Sequence, residues 1–215
     1  MPSKLVPVIV LGTALLAAGI STFALITLRP PATPAAEQPP YEPVVPEFDL
    51  IDQHGAPADE TILDGHYTLL DFMFTSCPLW CPGMTQTMAQ VQDATQGTGL
   101  RLLSISIDGD HDTPERMGMW ARSYDADPDR WAFFTGDPAH VWGVVGALGF
   151  DVSPDEDLDI TRADGVTAPS LNHPTRLLLV APDRRVIGMY SYQDEAAIQE
   201  LIERVRTLDA DTGGP

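Results

Sequence analysis

The 215-residue chain is short of positive charge and of sulfur bridges. Lys4 is its single lysine, and 12 basic residues face 31 acidic ones, for a formal net charge of −19. That balance argues against a nucleic-acid partner, because a phosphate backbone is held by Lys and Arg in number. The acidic excess reads as a solvated surface that aids solubility. Two cysteines, Cys77 and Cys81, are too few for a fold stapled by disulfides, which would spread more of them along the chain. Placed four residues apart with none elsewhere, they read as a site. The hydrophobic fraction of 44% is ordinary and allows a sizeable core.

Charge is also missing from Leu5 to Leu28, a run bracketed by Lys4 and Arg29. As a helix, this stretch would extend about 36 Å, against a hydrocarbon core of about 30 Å. It exceeds the apolar core of a cleaved signal peptide, so residues 1–28 are predicted to be an uncleaved membrane anchor. Residues 29–46 hold seven prolines and suit an extended, semi-rigid spacer of up to about 56 Å. Residues 47–208 make the folded domain, and 209–215 a flexible tail.

Within the domain, strand and helix patterns alternate. Phe48–Ile51 and the turn Asp52-Gln53-His54-Gly55 suggest an opening hairpin. Tyr67–Phe74 and Leu100–Ile107 are apolar runs suited to buried strands. A helix is expected to follow the cysteine segment, through about Gln96. Asp112-Thr113-Pro114-Glu115 supplies a cap, a proline for the first turn and an acid to open another. A strand over Trp131–Phe134 and a short helix over Pro138–Leu148 follow. Thr175–Val180 and Val186–Tyr192 form a hairpin across Pro182-Asp183-Arg184, and a last helix runs from Glu195 to about Leu208. The order predicts an α/β fold with helices flanking a mixed central sheet. The acidic stretch Asp151–Leu171 is expected to be a long loop, mobile until metal binds.

Cys77 and Cys81 lie where the first buried strand gives way to a helix, whose N-terminus stabilises thiolates. If the segment is helical, the two are i and i+4 on one face, a separation that suits two sulfurs on one metal ion. Copper or zinc then needs a third ligand, usually histidine. His54 and His66 read as surface residues, His140 as a polar contact and His111 as a loop residue. His173 differs, because Asn172-His173-Pro174-Thr175 opens a strand. This segment resembles that of thioredoxin-like proteins in which a cis-proline faces the cysteine helix, which would put His173 against Cys77 and Cys81. Met84 and Met88 read as core packing, and Trp80 and Pro78 as shields of the site.

Together, Asp71-Phe72-Met73-Phe74-Thr75-Ser76-Cys77-Pro78, Cys81-Pro82, Ser104-Ile105-Ser106-Ile107-Asp108, Asp112-Thr113-Pro114 and His173 resemble the Sco (SenC/PrrC) family of copper proteins. The resemblance implies a thioredoxin-like fold, with Cu(I) and Cu(II) bound by Cys77, Cys81 and His173. It also implies help in assembling the binuclear copper centre of cytochrome c oxidase, hence a copper-accepting oxidase subunit as partner. The domain would face the periplasm, or an equivalent space, from a single-pass anchor in the cytoplasmic membrane. Departures from the family pattern are Asn172 where Asp is common, Gly109 where proline often follows Asp108, and Pro174 after the histidine. Two other functions compete. A thiol–disulfide oxidoreductase would use Cys77 to attack and Cys81 to resolve. A peroxiredoxin-like peroxidase fits less well, because Thr75 stands two residues before Cys77 rather than three.

Overall fold

A computed structural model describes residues 42–162 and 165–212. The apolar run Leu5–Leu28 and most of the proline-rich segment lie outside them. No helix among the described residues is long and apolar enough to cross a membrane.

The chain opens with the expected hairpin, β1 (Asp49–Asp52) and β2 (Pro57–Asp59). Asp52 builds its turn: one carboxylate oxygen accepts the His54 and Ala56 N–H groups, each at 2.8 Å. Gly55 takes a φ of 83°, open to a residue without a Cβ. A single 3-10 turn (Glu60–Leu63) leads to β3 (Thr68–Met73), buried at every position. Then follow α1 (Cys81–Ala94), β4 (Arg101–Ser106), α2 (Pro114–Ser123), β5 (Trp131–Thr135) and α3 (Pro138–Ala147). Thr113 caps α2 by accepting from the Arg116 N–H, with Pro114 in its first turn, as its sequence anticipates.

The expected loop before His173 is instead a hairpin, β6 (Ser153–Thr161) and β7 (Thr167–Asn172), with an irregular register between Asp155 and Asp159. It forms a two-stranded sheet of its own. β8 (Arg176–Val180), β9 (Val186–Ser191) and α4 (Glu195–Thr212) complete the domain.

The main sheet has seven strands in the order β2-β1-β5-β4-β3-β8-β9. β3, β4 and β5 are parallel, while β1 and β8 join them antiparallel. α2 packs on β5, and α4 on β9 and α1. This is a thioredoxin-like α/β fold with a mixed sheet and flanking helices. Residues 43–45 lie along its edge: Val45 N–H reaches Arg184 O at 2.9 Å, Val186 N–H reaches Pro43 O at 2.8 Å, and Val45 is buried.

Register decides where the chemistry lies. The loops after β3 and β4 leave the same sheet edge, because those strands run together. β8 runs the other way, with Leu70 opposite Leu178. Continued upward, that pairing brings the residues before β8 level with the loop after β3.

One charge breaks the apolar run of β3. Asp71 is fully buried; one oxygen accepts the Ser104 hydroxyl at 2.6 Å, and the other has no partner among the described residues. Burial raises its carboxyl to about 6, against the opposing pull of Ser104 and of His173. The folded protein therefore holds this proton more tightly than the unfolded chain, and stability falls as pH rises from about 4 to about 6. At neutral pH the penalty is about 3 kcal/mol. Asp71→Asn should stabilise the reduced protein by up to about that amount at pH 7.5 and change it little at pH 4. Urea unfolding at both pH values measures this, and destabilisation at pH 7.5 would contradict it.

Candidate metal centre

The cysteine loop, Thr75–Trp80, is not helical: α1 begins at Cys81, after an N-cap at Trp80 that has no side-chain hydrogen bond. The condition under which both cysteines would share one helical face is therefore not met. Pro78 explains the difference, because a residue that precedes proline is pushed away from helical geometry, and here that residue is Cys77. Its sulfur instead sits before the helix, where it accepts the Cys81 N–H at 3.5 Å. That N–H is one of the unpaired donors of a helix start, so the thiol takes up the capping role that Trp80 leaves unfilled. Cys81 is fully buried, and its sulfur accepts the Phe74 N–H at 3.4 Å.

His173 arrives from the far side of the sheet. The bond before Pro174 is trans, since no cis peptide bond occurs among the described residues. The expected cis-proline is thus absent, and it is the β3–β8 register that carries His173 to the cysteines. Its Nε2 lies 3.5 Å from Cys81 Sγ. Nδ1 lies 3.0 Å from Pro174 O, a carbonyl that can only accept, so a proton belongs on Nδ1 and Nε2 is the ring atom that faces the sulfur. Phe74 packs edge-on against the ring, with centroids 5.7 Å apart.

The donor atoms of Cys77, Cys81 and His173 all lie within 4.8 Å of one another, close enough to converge on one metal ion. Two thiol sulfurs and one imidazole nitrogen form a soft, open donor set. The other histidines are elsewhere. His54 and His140 are exposed, and His140 Nε2 accepts the Asp49 N–H at 3.2 Å. His66 is half-buried, and burial, then Arg101, lowers its pKa. His111 Nδ1 lies 3.1 Å from Asp108. Met84 and Met88 are fully buried in the core. Leu79 and Trp80 stand exposed at the mouth, and a cavity of about 90 Å³ separates them from Asp155 and Asn172 of the β6–β7 hairpin.

Residues outside the cluster hold it in place. Asp112, fully buried, accepts from the Thr75 N–H at 2.9 Å, the Thr75 hydroxyl at 2.5 Å and the Ser106 hydroxyl at 2.6 Å. It braces the start of the cysteine loop, a role its position in a helix-start motif does not reveal. Burial raises its carboxyl, with the three donors opposing.

The two thiols are unequal. Cys77 is drawn down to about 3, chiefly by the hydrogen bond from Cys81 and then by His173 and the Cys81 and Leu79 N–H groups. Cys81 is pushed up, first by burial and then by the adjacent Cys77. At neutral pH one proton serves both sulfurs, with Cys77 the thiolate. Iodoacetamide should alkylate Cys77 in the metal-free protein at rates nearly flat from pH 8 to pH 5, with Cys81 resistant. Mass-spectrometric mapping reads this out. A tenfold loss of Cys77 rate per pH unit below pH 8, the behaviour of an ordinary thiol near pKa 8.5, would contradict it.

Fold and cluster define a thioredoxin-like protein that gathers two sulfurs and an imidazole at one edge of its sheet. The chain belongs to the SCO1/SenC family, which it matches over residues 36–209. It is 26% identical over 165 residues to the SCO1 protein homolog of Bacillus subtilis (strain 168), covering 76% of this chain and 81% of that one. Among solved structures it resembles Bradyrhizobium japonicum ScoI with copper bound, at 26% identity and a TM-score of 0.60, over 75% of this chain and 99% of that one. It also resembles BsSco, a member of the Sco family of cytochrome c oxidase assembly proteins in which a disulfide switch has been identified. That match has 25% identity and a TM-score of 0.64, over 80% of this chain and 96% of that one.

Proposed function

We propose that this protein is a membrane-anchored copper chaperone that binds one copper ion through Cys77, Cys81 and His173. The observation that carries the reading is the convergence of those three donor atoms within 4.8 Å. Kinship with a copper-loaded ScoI and with an oxidase assembly protein supports it. Copper is cargo here. Two thiolates and an imidazole suit three-coordinate Cu(I), and Cu(II) with a further ligand. An open site admits an incoming ligand, so copper can pass to a partner by exchange. The partner in this reading is the copper-accepting subunit of cytochrome c oxidase. The run Leu5–Leu28 would anchor the chain in the cytoplasmic membrane, with residues 29–46 as spacer and the domain in the periplasm.

A second function is favoured by the inequality of the thiols. As a thiol–disulfide oxidoreductase, the Cys77 thiolate would attack one sulfur of a partner disulfide, forming a mixed disulfide and releasing the partner's other sulfur as a thiolate. Cys81 would then lose its proton and attack the Cys77 sulfur, displacing the partner sulfur bound to it. Two electrons reduce the partner, and a Cys77–Cys81 disulfide remains.

Copper titration of the reduced protein separates the two. One tightly bound copper is expected, abolished in Cys77→Ser/Cys81→Ser. His173→Ala should weaken Cu(II) binding by at least about tenfold, the low end of what loss of even an outer-shell partner costs at a metal site. A reduced protein that retains no copper would leave thiol–disulfide exchange as the function.

A further inference from the structure

The β6–β7 hairpin ends one residue before His173, and it borrows no strand from the main sheet. Little of it is buried: Ile160, Ser170 and, just past β6, Arg162 are the described side chains of this region with that status. An arginine in that position is unusual, because a guanidinium leaves water only when it is paired. Arg162 gives Nε and Nη2 to a single oxygen of Asp108, at 3.2 and 3.0 Å, and both side chains are 7% exposed.

Asp108 stands at the end of β4 in the loop that also braces the cysteines. Its N–H donates to Ser106 Oγ at 3.1 Å, and that hydroxyl donates to Asp112, which holds Thr75. The second Asp108 oxygen faces His111 Nδ1. One short loop therefore grips the metal cluster from both sides. Through Asp112 it fixes the segment that carries Cys77, and through Asp108 it fixes the far end of the hairpin whose near end delivers His173. Ile160, two residues before Arg162, is buried in the core, and Arg162–Asp108 is the charged pair that ties this far end of the hairpin to the β4 loop, while His173 follows its near end.

The geometry points to Arg162 as a positioning residue for His173, acting through the β6–β7 hairpin. This inference rests on the copper reading above. It makes no contact with metal necessary, and it explains why a guanidinium is buried on a hairpin that is otherwise acidic and solvated. Removing the pair frees the imidazole while leaving both thiols in place, so copper keeps its sulfurs and loses its nitrogen ligand, a loss felt most by Cu(II).

The test is a set of Cu(II) and Cu(I) affinities on the full chain, for the parent, Arg162→Met, His173→Ala and the double variant. Arg162→Met should lose about 10–100-fold in Cu(II) affinity, with a smaller loss for Cu(I), which the two sulfurs still hold, and with the sulfur-to-copper absorption band shifted. In the His173→Ala background the same change should cost nothing further, because the residue through which it acts is gone. Equal losses in both backgrounds, or an unchanged Cu(II) affinity in Arg162→Met, would overturn the assignment. If Arg162→Met fails to fold, Arg162→Lys keeps the charge and loses the fork; a shifted band with intermediate affinity supports the assignment, and parent-like values overturn it. His173→Ala alone separates the two levels. A parent-like Cu(II) affinity there overturns the copper reading itself, whereas a loss there beside a silent Arg162→Met overturns the positioning role alone.

Discussion

Strand β3 pairs parallel with β4 on one side and antiparallel with β8 on the other. Everything at the site depends on that arrangement. Parallel pairing sends the cysteine loop and the Asp108–Asp112 loop out of the same edge. Antiparallel pairing brings the chain back to that edge just before β8, with His173 in hand. Residues almost a hundred positions apart meet because the apolar sides of three buried strands fix their register; a slip of one residue would turn buried side chains outward. The trans bond before Pro174 shows that no special peptide geometry is needed for the meeting.

Around this frame the domain buries more carboxylate than a core tolerates without cause. Asp71, Asp108 and Asp112 all lie under the edge that carries the sulfurs, each with at least one hydrogen-bonding partner. Their tasks differ. Asp112 and Asp108 tie loops together, whereas Asp71 keeps an unpaired oxygen and a raised pKa beside the thiols. The hydrogen bond from Cys81, then His173 and the N–H groups at the helix start, hold Cys77 as thiolate, whereas burial, then Cys77 itself and last Asp71, keep the proton on Cys81. The same asymmetry suits a soft metal site and a dithiol that exchanges with disulfides.

Much of this was legible in the residues. Tyr67–Phe74 and Leu100–Ile107 read as buried strands because they are continuous apolar runs, and Thr113-Pro114-Glu115 read as a helix start because each residue has its own reason to be there. Cys77, Cys81 and His173 were singled out from spacing, residue type and a family resemblance, and the fold brings the three together. The β6–β7 hairpin was not found. β6 is largely acidic, β7 is small and polar with one leucine, and the two bury little beyond Ile160 and Ser170, so no apolar period marks them. Arg162 was missed for the same reason, since a lone arginine in an acidic stretch reads as solvated charge until its partner 54 positions away is known. A helix after the cysteine segment was legible, but that Cys77 stays outside it was left open, and the effect of Pro78 on Cys77 accounts for that.

The central claim is that two sulfurs and one imidazole close on the same copper ion. X-ray absorption at the copper edge of the Cu(II)-loaded protein tests it most directly, beside the His173→Ala variant. Two sulfur neighbours and an imidazole nitrogen are expected in the parent, with the outer-shell scattering of that ring lost in the variant. A copper environment without sulfur, or an imidazole pattern that survives removal of His173, would contradict it.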